Sequence, residues 1–124
     1  MKPERLARIA VTALEDIKAR DIVVLNTTKL TTLFDRMIIA SADSSRQTRA
    51  LAIHVVEKAK QAGAPVQGVE GEAAAEWILI DLGTVIVHVM QPAARDYYNL
   101  EELWGGSRPR RERQRIQPEP VSLP

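Results

Sequence analysis

Trp77-Ile78-Leu79-Ile80-Asp81-Leu82-Gly83-Thr84-Val85-Ile86-Val87-His88-Val89-Met90 is two β-branched and aliphatic runs separated by a turn signal. The pattern predicts a β-hairpin. With Leu82-Gly83 as a two-residue loop, Asp81 faces Thr84, and the pairs continue as Ile80 with Val85, Leu79 with Ile86, Ile78 with Val87 and Trp77 with His88. Alternation then sorts the side chains onto two faces. One holds Ile78, Ile80, Val85, Val87 and Val89 and is wholly apolar, as befits a surface pressed against helices. The other holds Trp77, Leu79, Asp81, Thr84, Ile86, His88 and Met90, a mixture of aromatic, aliphatic and polar groups. Such a mixture suits a binding patch, since aromatic anchors rimmed by polar groups dominate protein interfaces. Periodicity alone equally allows a further helix to cover this face.

Working outward, Leu6, Ile9, Ala10, Ala13, Leu14 and Ile17 recur at offsets of three and four between Arg5 and Ala19, one stripe of an amphipathic helix. Ile22 to Leu25 reads as a first strand, followed by turn chemistry at Asn26-Thr27-Thr28-Lys29, and Met37 to Ala40 reads as a second. Ser44 with Gln47 fits a capping box, opening a helix that carries Leu51, Ala52, Val55, Val56 and Ala59 and stops at Gly63 and Pro65. Val66 to Val69 is a brief third strand, and Pro92 suits the first turn of a short helix after the hairpin. The order α-β-β-α-β-β-β-α predicts an α+β (α/β) fold: a mixed sheet of about five strands with helices packed on it.

The chain has 124 residues, 45% hydrophobic and 27% charged, which fits one modest core and excludes collagen-like, wholly disordered and disulfide-stapled classes. It contains no cysteine, so thiol catalysis and Cys-built zinc sites are excluded, and a reducing, cytoplasmic setting is expected. The amino-terminal residues lack a secretory apolar core, and the longest apolar stretch, Trp77 to Met90, is too short and too interrupted by Asp81 and His88 to span a membrane. Charge is uneven. Residues 105–124 carry Arg108, Arg110, Arg111, Arg113 and Arg115 against two glutamates, a net +3, with four of the seven prolines, leaving residues 1–104 at net −2. The expectation is a folded domain over residues 1–104 and a disordered basic tail over 105–124, either a weak electrostatic contact for RNA or a solubilising segment.

Catalytic signals are sparse. His54 and His88 have no metal-ligand spacing around them, so no metal or other cofactor is expected. Ser44-Ser45-Arg46-Gln47 at a strand-to-helix junction could receive a phosphate at the helix N-terminus. It lacks a glycine-rich loop, and Asp43 sets a negative charge at the approach. Asp35, Asp43 and Asp81 show no paired-carboxylate spacing for metal-assisted nucleotidyl transfer. A small nucleotidyl or phosphoryl transferase using Ser44 and Asp81 is therefore the competing reading, not the leading one.

Ile38-Ile39-Ala40-Ser41-Ala42-Asp43-Ser44-Ser45-Arg46-Gln47-Thr48-Arg49-Ala50, Val69-Glu70-Gly71-Glu72, the hairpin itself and Arg95-Asp96-Tyr97-Tyr98-Asn99-Leu100-Glu101-Glu102-Leu103-Trp104, in this order, closely resemble the ribosomal silencing factor family, also called RsfS or Iojap. The likeness covers residues 6 to 104. It implies a non-enzymatic factor that binds the large ribosomal subunit through its fourteenth protein (uL14), blocks joining of the small subunit and lowers translation when nutrients are scarce. It also implies a sheet related to that of nucleotidyltransferases without their catalytic carboxylates. Carried over by position, the contact set is Trp77, Asp81, Leu82, Gly83, His88, Arg95, Tyr98 and Leu100. Several of these fall on the amphipathic hairpin face, which favours an open docking surface over a covered one. Trp77, Leu82 and Tyr98 are expected as apolar anchors, Arg95 and Asp81 as orienting charges. Ser41-Ala42-Asp43 departs from the family's usual Thr-Gly-Thr, and an aromatic common near Arg36-Met37 is missing; both are expected to lie away from the contact face. An open apolar face also predicts a homodimer in the free protein.

Overall fold

A computed structural model describes residues 1–105 of the chain. Its elements are α1 (Pro3–Asp16), β1 (Arg20–Asn26), β2 (Arg36–Ser41), α2 (Ser45–Gln61), β3 (Gly68–Glu70), β4 (Trp77–Asp81), β5 (Val85–Met90), α3 (Pro92–Tyr98) and a single turn, α4 (Leu100–Leu103). The predicted element order holds through α3. The basic tail falls outside the described residues, apart from Gly105.

The sheet is five-stranded and mixed, in the order β1-β2-β5-β4-β3. β5 is central in space. It pairs in parallel with β2 and antiparallel with β4, joining the β1–β2 hairpin to the β3–β4 pair. α1 and α2 pack on one face, where Leu6, Ala10, Leu14, Leu51 and Val55 close over Ile38, Ala40, Ile78, Ile80, Val85, Val87 and Val89. All five hairpin residues assigned to that face are fully buried. Each such aliphatic side chain contributes roughly 1.5–3 kcal/mol on burial, so this layer holds most of the fold's stability. The two helices are also tied by His54 Nε2 and Asp16 Oδ2 at 2.9 Å.

α2 starts where the sequence places it. The Ser44 hydroxyl accepts the Gln47 backbone N–H at 3.0 Å. The reciprocal arm of the capping box is displaced by one residue, because Gln47 Oε1 accepts from the Asp43 N–H at 2.7 Å while its amide donates to the carbonyls of Ile17 and Lys18. Gln47 therefore stitches the start of α2 to the end of α1 instead of merely capping. Gly63, at φ +86°, turns the chain out of α2 as the C-cap reading requires.

The hairpin register differs from expectation. Asp81 faces Ile86, Leu79 faces His88 and Trp77 faces Met90. The loop is Gly83-Thr84, closed by the Leu82 N–H donating to the Val85 carbonyl at 3.0 Å. Gly83 has φ +86° at the first loop position, where hairpin turns favour positive φ, and its N–H donates to Asp81 Oδ1 at 2.8 Å. Moving a two-residue loop by one position shifts the register by two, so every residue keeps its face. Among the described residues, no helix is long and apolar enough to cross a membrane.

Candidate functional site: an aromatic face over a buried ion pair

The second face of the sheet is half covered. α3, α4 and the β1–β2 loop close over its β2–β5 end, where Met37, Ile39, Met90 and Leu100 form a small second core edged by Phe34, Trp77, Ala94 and Trp104. Towards β4 the covering stops, leaving Trp77, Leu79, Asp81 and Ile86 partly exposed. Both expectations for this face are thus met in different places: a helix covers one end, and the other stays open.

The rim of that opening is aromatic. The Trp77 and Tyr98 rings lie 4.7 Å apart, and Tyr97 meets Tyr98 edge-on at 5.0 Å. Tyr98 is 51% exposed and Tyr97 83%, with Leu103 also projecting into solvent. Such contacts fix ring orientation in advance, so little side-chain entropy remains to be lost on binding.

Below the rim lies the support. Trp77 Nε1 donates to His88 Nδ1 at 3.0 Å, which requires that nitrogen to be bare and the imidazole neutral. Burial holds the His88 pKa down, from 6.5 to about 4, keeping it in that form at neutral pH. Arg95 is 1% exposed. Its Nε donates to Glu101 Oε2 at 2.9 Å and its guanidinium donates to Ser41 Oγ at 2.8 Å, joining α3, α4 and the end of β2. Asn99, at φ +49°, breaks the helix between α3 and α4 and so turns Glu101 back towards Arg95. On the other flank, Gly71 passes so close to Trp77 that a Cβ would stand 2.2 Å from its carbonyl oxygen. The same loop is anchored by Arg49 donating to the carbonyls of Glu72 and Ala73, at 3.0 and 2.7 Å.

The eight residues singled out in the sequence therefore divide. Trp77, Asp81, Gly83 and Tyr98 reach the surface, with Asp81 and Gly83 at the hairpin turn. Leu82, His88, Arg95 and Leu100 are buried and offer no side chain to a partner in this conformation. Leu82 is accordingly an anchor of the fold and not of an interface, and Arg95 orients the α3–α4 bracket instead of a partner. Ser41 is likewise not remote from the face, since it lies directly against Arg95. Phe34 supplies an aromatic close to Arg36-Met37 and packs on Trp104 with ring centroids 5.2 Å apart. Tyr97 and Leu103 were missed. Adjacent positions on a helix point about 100° apart, so sequence favours one tyrosine of the pair, and only a helix ending at the rim exposes both.

The Ser44 junction offers no comparable arrangement. Ser44 is spent on the cap, and Asp43 is paired with the Arg20 guanidinium, which holds the Asp43 carboxyl below its usual range and raises the Arg20 pKa. No cluster of three potential metal ligands occurs among the described residues.

A family model described as ribosomal silencing factor during starvation matches residues 1–122. The chain belongs to the ribosomal silencing factor family. A curated member from Chromobacterium violaceum, named ribosomal silencing factor RsfS, is 53% identical over 109 residues, covering 88% of this chain and 89% of its own. A crystal structure of a protein from the same organism superposes with a TM-score of 0.86 at 53% identity, covering 88% of this chain and 91% of that one. A more distant mouse protein, 32% identical over 97 residues, which cover 76% of this chain and 42% of its own length, is named mitochondrial assembly of ribosomal large subunit protein 1. The silencing-factor family is regulatory, named for an effect on the ribosome and not for a reaction.

Proposed function

We propose that this chain associates with the ribosome and represses translation by occupying the large subunit's joining face, with the Trp77–Tyr98 rim docked on the large subunit's fourteenth protein, uL14. Family membership supports the ribosomal, regulatory part of this reading. The observation that carries the rest is the exposed aromatic stack, 4.7 Å between Trp77 and Tyr98, held rigid by buried polar groups beneath it. A preorganised, partly apolar surface of this kind gains affinity by losing little freedom on binding. No bond is made or broken; the bulk of the domain keeps the small subunit away, so affinity is the whole activity. In the free protein the same rim pairs with a second copy, giving a homodimer that separates on the ribosome.

Co-sedimentation of the purified chain with isolated large and small subunits tests this. Wild type travels with large subunits and suppresses their joining to small ones. Tyr98→Ala, exposed enough to leave folding intact, binds at least about 30-fold more weakly, the equivalent of roughly 2 kcal/mol for a central anchor. Full co-sedimentation of that variant would reject the assigned surface. Sedimentation equilibrium of the free chain showing monomer alone at high concentration would reject the dimer.

A further inference from the structure

α1 and α2 pack together on the side of the sheet opposite Trp77, and between them runs an open cleft of about 680 Å³. Arg5 and Arg8 line it from α1, Lys58 and Gln61 from α2. The carboxylate among its lining residues, Asp16, is already held by the His54 imidazole at 2.9 Å. Arg5, Arg8 and Lys58 take part in no ion pair among the described residues. Lys58 has a local explanation, since it sits in the last turn of α2, where a cation complements the helix dipole. Arg8 stands four residues beyond Glu4 on α1, a favourable spacing, although the Glu4 carboxylate is bonded to Arg36. Arg5 has no such explanation: it stands in the first turn of α1, the end at which the dipole disfavours positive charge, and at a spacing of three residues it and Arg8 repel each other. The cleft is thus basic, although residues 1–104 as a whole carry net −2.

We propose that this cleft binds the phosphates of an RNA strand. Two guanidiniums on one wall and an ammonium on the other suit a chain of anions better than a single one, and the guanidinium fork matches phosphate oxygens in pairs. The cleft lies across the sheet from the aromatic rim, so both surfaces engage at once: one takes protein, the other RNA. The choice of RNA as the occupant rests on the proposed ribosomal docking, and the test separates the two.

The probe is a fluorescent single-stranded RNA of about 12 nucleotides, long enough to cover a site of this size, followed by anisotropy with the full chain across a salt series. Arg5→Gln/Arg8→Gln, checked by circular dichroism for an unchanged fold, binds about 10-fold more weakly at low salt, and its salt slope flattens by roughly 1.4, at about 0.7 for each phosphate left without its arginine. Lys58→Gln shows about half that flattening. Unchanged affinity and slope in the double variant would overturn the proposal, the arginines beyond residue 105 then accounting for all the binding. Equal competition by polyglutamate at matched charge would also overturn it, in favour of an acidic protein partner. Tyr98→Ala keeps wild-type RNA binding. A chain that holds RNA through the cleft but does not sediment with large subunits therefore sinks the docking surface alone, and the converse result sinks the cleft alone.

Discussion

The two faces of the sheet are built from the same strands and do different work. On the helix side, Ile78, Ile80, Val85, Val87 and Val89 are uniform, aliphatic and fully buried. On the other side, a short bracket of helix covers one end, Leu79 and Ile86 stay partly exposed at the other, and a polar understructure of Arg95, Glu101, Ser41 and His88 joins the small apolar core of Met37, Ile39, Met90 and Leu100. The first face stores stability. The second uses buried polar contacts to fix where a few exposed rings stand. Hydrocarbon packing is non-directional, whereas hydrogen bonds and ion pairs specify angles, and a surface that must present rings in one arrangement needs the latter.

Substitutions on the two faces break or sharpen this division. The largest effect belongs beneath the rim: Arg95→Met leaves Glu101 buried without its guanidinium partner and costs about 4 kcal/mol by denaturant titration, and Arg95→Met/Glu101→Leu recovers much of it. Ile80→Ala, on the helix side, costs about 3 kcal/mol, yet the fraction that remains folded binds large subunits normally. Acid acts on the aromatic face through His88 and, away from it, on the Asp43 carboxyl that Arg20 holds below its usual range. Because the His88 pKa is depressed on folding, from 6.5 to about 4, its contribution is complete above pH 6.5 and is lost as pH falls towards 4, where the unfolded chain takes up a proton that the folded one excludes. The loss amounts to about 3 kcal/mol, and urea midpoints between pH 7 and pH 4 measure it against a His88→Gln control that lacks this component. Ser44→Ala removes a helix cap and costs about 1 kcal/mol without altering docking. Tyr98→Ala comes last in stability, within about 0.5 kcal/mol of wild type, although it has the largest effect on subunit binding.

The helix side was legible in the sequence because its information is local. Period-two alternation in the hairpin and the three-four spacing of Leu6, Ala10, Ala13 and Leu14 each name a buried face from within one element. The hairpin turn was misplaced by one residue, since Leu82-Gly83 and Gly83-Thr84 both put glycine in the loop, and what goes with the second is positive φ at Gly83 as first loop residue, with its N–H on Asp81 Oδ1. The aromatic side was legible in outline and not in depth. Arg95 and His88 read as surface groups, because polar side chains are seldom buried. Their burial depends on partners far along the chain, Ser41 lying 54 residues from Arg95 and Trp77 lying 11 from His88. The break at Asn99 that brings Glu101 to Arg95 depends on one left-handed residue inside what otherwise reads as helix.

The central position of β5 also bears on how the sheet closes. The β1–β2 hairpin and the β3–β4 pair each end before residue 82, and α1 and α2 pack against both, but no strand pairing joins them until Val85–Met90 fits between. Until β5 is in place, the two pairs therefore share a helical roof and not a continuous sheet. Because β5 follows both pairs in sequence, the sheet closes on contacts that are distant along the chain, the kind that slow folding.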